Sequence, residues 1–215
     1  MERPRTGWSL IAAIVGAATL GFLVSYHFGT RAPPTLPATP VAAVTVPAVR
    51  PVFSLGDATG KVRSITEWDG RSLVVNFWAT WCPPCRREIP LLNTLQREHA
   101  GAGFQVIGVA VDLRESVLGY LKKTPVDYPV LIGEQDALDA AKAFGVATTG
   151  FPFTVFTDGA GNIVTVFVGE LHREEATVIL RAVTDINAGL TTPALARPRI
   201  EEQLDAIRRA NRSSG

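Results

Sequence analysis

Both cysteines of the 215-residue chain stand in one short stretch, Trp81-Cys82-Pro83-Pro84-Cys85. The stretch follows an apolar, β-prone run and opens a helical pattern. A cysteine at a helix N-terminus has its thiolate favoured by unpaired backbone N–H groups and by the helix dipole. A second cysteine three residues on lies one turn away, within reach to close a small disulfide. The chemistry implied is reversible dithiol–disulfide exchange, with Cys82 as the exposed attacking nucleophile and Cys85 as the more buried resolving thiol. Read instead as half of a zinc site, the pair would need two further ligands. The histidines are His27, His99 and His172; the first falls in a long apolar run and the other two lie far apart in sequence. The strand–CxxC–helix context favours redox chemistry, with no metal and no cofactor expected. Pro83-Pro84 stiffens the loop and removes two backbone donors near the sulfurs, which tunes the potential.

The elements that position this stretch can be read from periodicity and turn signals. Pro51–Leu55 and Lys61–Ile65 flank Asp57-Ala58-Thr59-Gly60 and read as a small hairpin. Leu73–Ala79 and Phe104–Val111 are nearly continuous apolar runs, as buried central strands should be. A helix is expected from Pro83 to Ala100, with Pro90 as a kink inside it. Further helices are expected over Leu113–Lys123, Asp136–Phe144 and Glu174–Ala188, with strands at Tyr128–Ile132, Phe153–Thr157 and Ile163–Val168. The last two strands surround Asp158-Gly159-Ala160-Gly161-Asn162, a hairpin turn. Strands alternating with helices and ending in a hairpin and a helix make an α/β sandwich with a mixed sheet. Phe77 and Trp78 alternate along a strand and read as packing residues. Trp81, beside Cys82, reads as lining a substrate face.

A mean hydropathy of +0.18 is high and traces to one block. Trp8–Phe28 is a run of 21 residues without Asp, Glu, Lys or Arg, preceded by Arg3 and Arg5. As a helix it spans roughly 30 Å, enough for a bilayer core, with Trp8 and Tyr26 at the interfaces. The positive-inside rule leaves residues 1–7 in the cytoplasm and exports the rest. A cleavable signal peptide is the rival reading, but no convincing small-x-small site follows. Residues 29–50 hold five prolines and read as a semi-extended linker. Beyond Pro193, Ile200, Leu204 and Ile207 share a helical face among five arginines and three acids, a solvated basic helix over 191–215 that docks by its stripe. Lys+Arg 21 against Asp+Glu 20 leaves +1, so no global field would recruit nucleic acid.

The segment Val74–Pro90, VVNFWATWCPPCRREIP, resembles the active-site segment of thioredoxin-fold proteins. More narrowly it resembles the TlpA/ResA/CcmG (DsbE)-like family of membrane-anchored thiol-disulfide oxidoreductases, over about residues 51–190. The resemblance implies a thioredoxin fold with an N-terminal β-hairpin, a central insertion between Asp112 and Pro152, and one N-terminal transmembrane helix. It implies a buried carboxyl at Glu88, three residues after the second cysteine, taking the place of the buried Asp that thioredoxin carries where this chain has Asn76. Helical spacing sets Glu88 on the same face as Cys85, where a partly buried carboxyl can accept the Cys85 proton. The resemblance also implies that Pro152 is cis, packs against the CxxC and presents backbone to a substrate beside Phe151 and Trp81. Phe151 is bulkier than the usual residue there, and Phe153-Thr154 stands where many relatives have Thr-Thr.

The function expected on these grounds is a reductant of disulfides in exported proteins, held by a single span in the bacterial inner membrane with its domain in the periplasm. The family's substrates would be apocytochrome c cysteines or cysteines of copper-site assembly proteins. An oxidising compartment cannot regenerate a dithiol unaided, so a CcdA/DsbD-type membrane reductant is implied. A DsbA-like oxidant or isomerase is the alternative within the same chemistry. A metal- or partner-binding module is a third reading, disfavoured by a single Met and no nearby His.

Overall fold

Strands without a polar face must be covered on both sides, and the fold is arranged to do this. The computed structural model describes residues 46–146 and 150–213. The expected N-terminus (1–7), the anchor (8–28) and all but the last five residues of the linker lie outside the described residues. Among the described residues no helix is long and apolar enough to cross a membrane.

In chain order the elements are β1 (Ser54–Asp57), β2 (Val62–Ser64), β3 (Ser72–Trp78), α1 (Pro83–His99), β4 (Phe104–Val111), α2 (Arg114–Lys123) and β5 (Val130–Gly133), then α3 (Gln135–Ala143), β6 (Phe153–Thr157), β7 (Ile163–Val168), α4 (Arg173–Asn187) and α5 (Pro193–Ser213). The strands form one mixed sheet in the order β2-β1-β5-β4-β3-β6-β7. β3, β4 and β5 run parallel in its centre, and β1 and β6 join them antiparallel on either side. This is a thioredoxin-like sheet carrying an extra N-terminal hairpin, with β5 and α3 inserted ahead of β6.

Every residue of β3 and β4 is buried. On one face Val74 and Trp78 pack with Ile89, Leu92 and Leu95 of α1 and with Ala176, Ile179 and Val183 of α4. On the other face Leu73, Val75 and Phe77 pack with Ala137, Ala140 and Phe144 at α3 and with Ile65 and Trp68. The period-two alternation of β3 thus sends Asn76 to the same side as α1. There it has Thr154 of β6 directly opposite on one flank and Gly108 of β4 on the other. α1 runs through Pro90 as one continuous helix, and Arg71 Nη2 donates to the carbonyls of Ala100 and Phe104 at its far end.

One boundary differs from expectation and the other is docked by the expected stripe. The end of the Pro-rich segment is already tied to the sheet: Ile163 N–H donates to the Ala48 carbonyl and Arg50 N–H to that of Gly161, with a bridge between Val49 and Asn162. Composition marks this segment as linker; backbone pairing with a distant turn and the Arg50–Asp69 ion pair make it part of the domain. At the other end α5 lies on the domain with Ala196, Ile200 and Leu204 buried and Ile207 half-buried. Arg197 anchors it by donating to the carbonyls of Ile163 and Val164.

Gly108 has a steric reason to be glycine. A Cβ there would come within 3.1 Å of Tyr128 Cε2 and 3.2 Å of Trp78 Nε1, side chains that fill the α1 face of the sheet. Gly108→Ala is expected to cost about 1–3 kcal/mol of unfolding free energy by overpacking. Gly119→Ala, on exposed helix α2 with nothing within 4 Å of the added carbon, is expected to gain about 0.5–1 kcal/mol. Guanidinium unfolding of both variants beside the parent chain checks the pair.

Candidate active site

The loop leaving β3 carries the CxxC to the start of α1, and its shape is held by an acid that the sequence did not single out. Asp112, at the end of neighbouring β4, accepts from Thr80 N–H (2.9 Å) and from the Thr80 hydroxyl. Its other oxygen accepts from Leu113 N–H at 2.8 Å. The exits of the two central strands are thereby pinned together immediately before Trp81 and Cys82.

Cys82 is the N-cap of α1, and its sulfur accepts from Cys85 N–H at 3.3 Å. Pro83 and Pro84 occupy the first helical turn, where a missing N–H costs no helical hydrogen bond. The two cysteines form a disulfide. Cys85 is fully buried, but Cys82, expected to be exposed, is only 4% exposed. The cause is physical: bonded to Cys85, Cys82 joins an apolar cluster that includes Trp78, Cys85 and Val117, and Phe151 packs against the same cluster. Trp81, by contrast, is 65% exposed.

The remaining residues expected at the site do converge on it. The Phe151–Pro152 bond is cis. The Trp81 and Phe151 rings meet edge to face with centroids 6.2 Å apart, and Phe151 stacks in turn on Phe153. The Pro152 carbonyl accepts from Gly169 N–H at 2.9 Å. Beside the aromatic pair opens a cavity of about 560 Å³ lined by Trp81, Leu113, Leu138 and Phe151 on the apolar side and by Asp112 and Glu134 on the acidic side.

Beneath the disulfide lies Glu88, 1% exposed, on the buried stripe of α1 that also carries Cys85, Ile89, Leu92 and Leu95. Among the described residues no cation lies against its carboxyl. Oε1 accepts from Asn76 Nδ2 at 2.7 Å and Oε2 from Leu171 N–H at 2.8 Å. Burial pushes its pKa up to about 7, while the two hydrogen bonds hold it back from going higher and Glu170 adds a small upward push. Asn76 Nδ2 donates a second time, to Thr154 Oγ1 at 3.0 Å. Nearby Tyr128 has its hydroxyl pushed well above the ordinary range by burial and by Glu88. A carboxyl poised near neutrality one helical turn from a buried sulfur can take a proton there or return it.

Of these groups, Asp112, Thr154 and the Leu171 amide were not singled out from sequence. Asp112 and Thr154 stand at strand ends and starts and carry only common polar types. Leu171 acts through its backbone, which no residue type announces.

A family model described as Redoxin matches residues 42–182. The chain belongs to the redoxin family. This redoxin is 28% identical over 159 residues to the thiol-disulfide oxidoreductase ResA of Geobacillus thermodenitrificans, a match covering 74% of this chain and 84% of that protein. Among solved structures it resembles a thiol:disulfide interchange protein DsbE from Chlorobium tepidum, with a TM-score of 0.60 and 26% identity over 65% of this chain and 98% of the other. A second thiol:disulfide interchange protein of the thioredoxin family from the same organism gives a TM-score of 0.58 and 32% identity over the same shares. Within its family the redoxin is TlpA/ResA/CcmG-like, and it is a thiol-disulfide oxidoreductase.

The raised Glu88 pKa carries a stability signature. Its folded value of about 7 lies above the ordinary 4.5, so the fold favours the protonated acid. That contribution is complete below about pH 4.5 and is lost as the pH rises through about 7. The full difference corresponds to about 3 kcal/mol. Glu88→Gln has no carboxyl to ionise. Unfolding of the disulfide form from about pH 5 to about pH 8 should show a downward slope in the parent that is reduced by this amount in the variant. Parallel slopes would refute the assignment.

Proposed function

We propose that this redoxin is a membrane-tethered, extracytoplasmic reductant of disulfides in exported proteins. The observation that carries the reading is the Cys82–Cys85 disulfide at the start of α1 with the near-neutral, uncompensated carboxyl of Glu88 one turn behind it. The names of its relatives, ResA and DsbE, support the chemistry. The apolar run Trp8–Phe28 and the prolines that follow it support the tether.

In the reduced form the Cys82 thiolate, favoured by the helix N-terminus, attacks one sulfur of a substrate disulfide. A mixed disulfide forms and the first substrate thiolate leaves. Cys85 then gives its proton to Glu88 and attacks the Cys82 sulfur, releasing the second substrate thiolate. Two electrons have passed to the substrate, whose thiolates take up protons, and the Cys82–Cys85 disulfide has formed. A dithiol supply of CcdA/DsbD type at the membrane returns two electrons and closes the cycle. The Trp81–Phe151 rim and the acidic wall at Asp112 and Glu134 suit a polypeptide substrate, such as the cysteine-bearing segment of an apocytochrome c or of a copper-site assembly protein.

The first test is the reduction potential of the full chain against a glutathione or dithiothreitol series. A reductant should lie near thioredoxin's roughly −270 mV, whereas a value near the roughly −120 mV of DsbA would make the protein a disulfide donor and reverse the reading. Cys85→Ala is expected to accumulate mixed disulfides in cells that depend on Cys82; their absence when Cys82 is present would defeat the exchange mechanism. Glu88→Gln should slow resolution by on the order of a hundredfold near neutral pH and remove the rate's dependence on a group titrating there.

A further inference from the structure

Glu88, Asn76 and Thr154 form a row of buried polar side chains from α1, β3 and β6. Both hydrogens of the Asn76 amide are used, one on Glu88 Oε1 and one on Thr154 Oγ1, while Asn76 Oδ1 is buried with no partner among the described residues. This pattern fits a carboxylate and misfits a carboxylic acid. Leu171 N–H is fixed in the backbone and keeps Glu88 Oε2 an acceptor in both states. An added proton must therefore sit on Oε1, where it meets a hydrogen that Asn76 already directs at the same place. The two ends of an amide are the same size, and a half-turn about its last torsion exchanges them without displacing neighbours.

We propose that Asn76, backed by Thr154, is a positioning residue that follows the proton on Glu88 by turning its amide. With Glu88 ionised, Nδ2 donates to Oε1 and to Thr154. With Glu88 protonated, Oδ1 takes that place and accepts from the Glu88 O–H and from the Thr154 hydroxyl, which changes from acceptor to donor. Each protonation state then has its partners, and one end of the amide is left over in both. A fixed donor would favour only the carboxylate; an amide that turns lets Glu88 take the Cys85 proton and give it back. The other groups around this row are Glu170, paired with Arg87, and Tyr128, whose hydroxyl stays protonated through neutral pH. Cys85 lies on the same helix and is held in the disulfide.

The use to which the turn is put rests on the proton-acceptor reading of Glu88, but the turn itself is read separately. The full chain in its disulfide form, labelled with ¹⁵N at asparagine, is followed by NMR across the Glu88 titration, with midpoint at about pH 7. The Asn76 side-chain amide signals should shift with that midpoint. Their nuclear Overhauser contacts to the Thr154 side chain should be present above it and lost below it. Glu88→Gln, which presents a permanent neutral donor, should hold the amide in the turned orientation at every pH. Thr154→Val should raise the midpoint, because the ionised state then leaves an amide hydrogen unpaired, and Thr154→Ser should restore it. Contacts that persist unchanged on both sides of the midpoint, or amide signals that do not move, would overturn the proposal, and the parent chain alone decides this. If the amide turns while Glu88→Gln leaves the exchange rate intact, the turn stands and the proton-acceptor role fails. The reverse result removes the turn and keeps that role.

Discussion

A carboxyl group buried with no cation against it among the described residues is the constraint that the rest of this structure serves. Taking Glu88 out of water favours its neutral form, and only directed hydrogen bonds keep ionisation within reach of neutral pH. Those bonds come from two places that the fold must bring together, the side of β3 and the turn after β7. β3 supplies Asn76 because its pleat aims that position at α1. The β6–β7 hairpin supplies the amide of Leu171 because it returns the chain to the same face. Gly108 and the packed pair Trp78 and Tyr128 close the space beside it. The result is a buried compartment behind the disulfide, holding one titratable proton.

The sulfurs above are controlled by different means. Cys82 closes the N-terminus of α1, and the loop that presents it is clamped by Asp112 from the adjacent strand. The nucleophile is positioned by strand ends and the proton by strand faces. A change in the loop can therefore alter the geometry of attack without disturbing the acid, and a change on the sheet can alter the acid without moving the loop.

Much of this was legible in the residues. The runs Phe104–Val111, Phe153–Thr157 and Ile163–Val168 become strands with the expected bounds, because continuous β-prone apolar stretches between turn signals leave little choice. Weaker edges slipped: β1 starts at Ser54 and not at Pro51, since proline cannot donate to a ladder and Phe53 instead lends its carbonyl to Ile65. The CxxC announces itself by type and spacing, whereas Glu88 was implied by the family resemblance, with helical spacing setting it on the face of Cys85. Thr154 does not, because its meeting with Asn76 depends on the register of two strands 78 residues apart. The burial of Cys82 was also hidden: a thiol at a helix start reads as open, and its closure depends on the disulfide and on the aromatic side chains gathered around it.

The start of β7 is where the two ends of the domain arrive, with Ala48–Arg50 paired along it and Arg197 holding its carbonyls. An unoccupied edge strand is a template on which another chain can add itself. Here the outer edge at its beginning is already filled, once by backbone and once by a guanidinium. The sheet is thereby protected from growing by strand addition at that end. A thiol-disulfide oxidoreductase of this shape can offer a sulfur without offering a sheet edge.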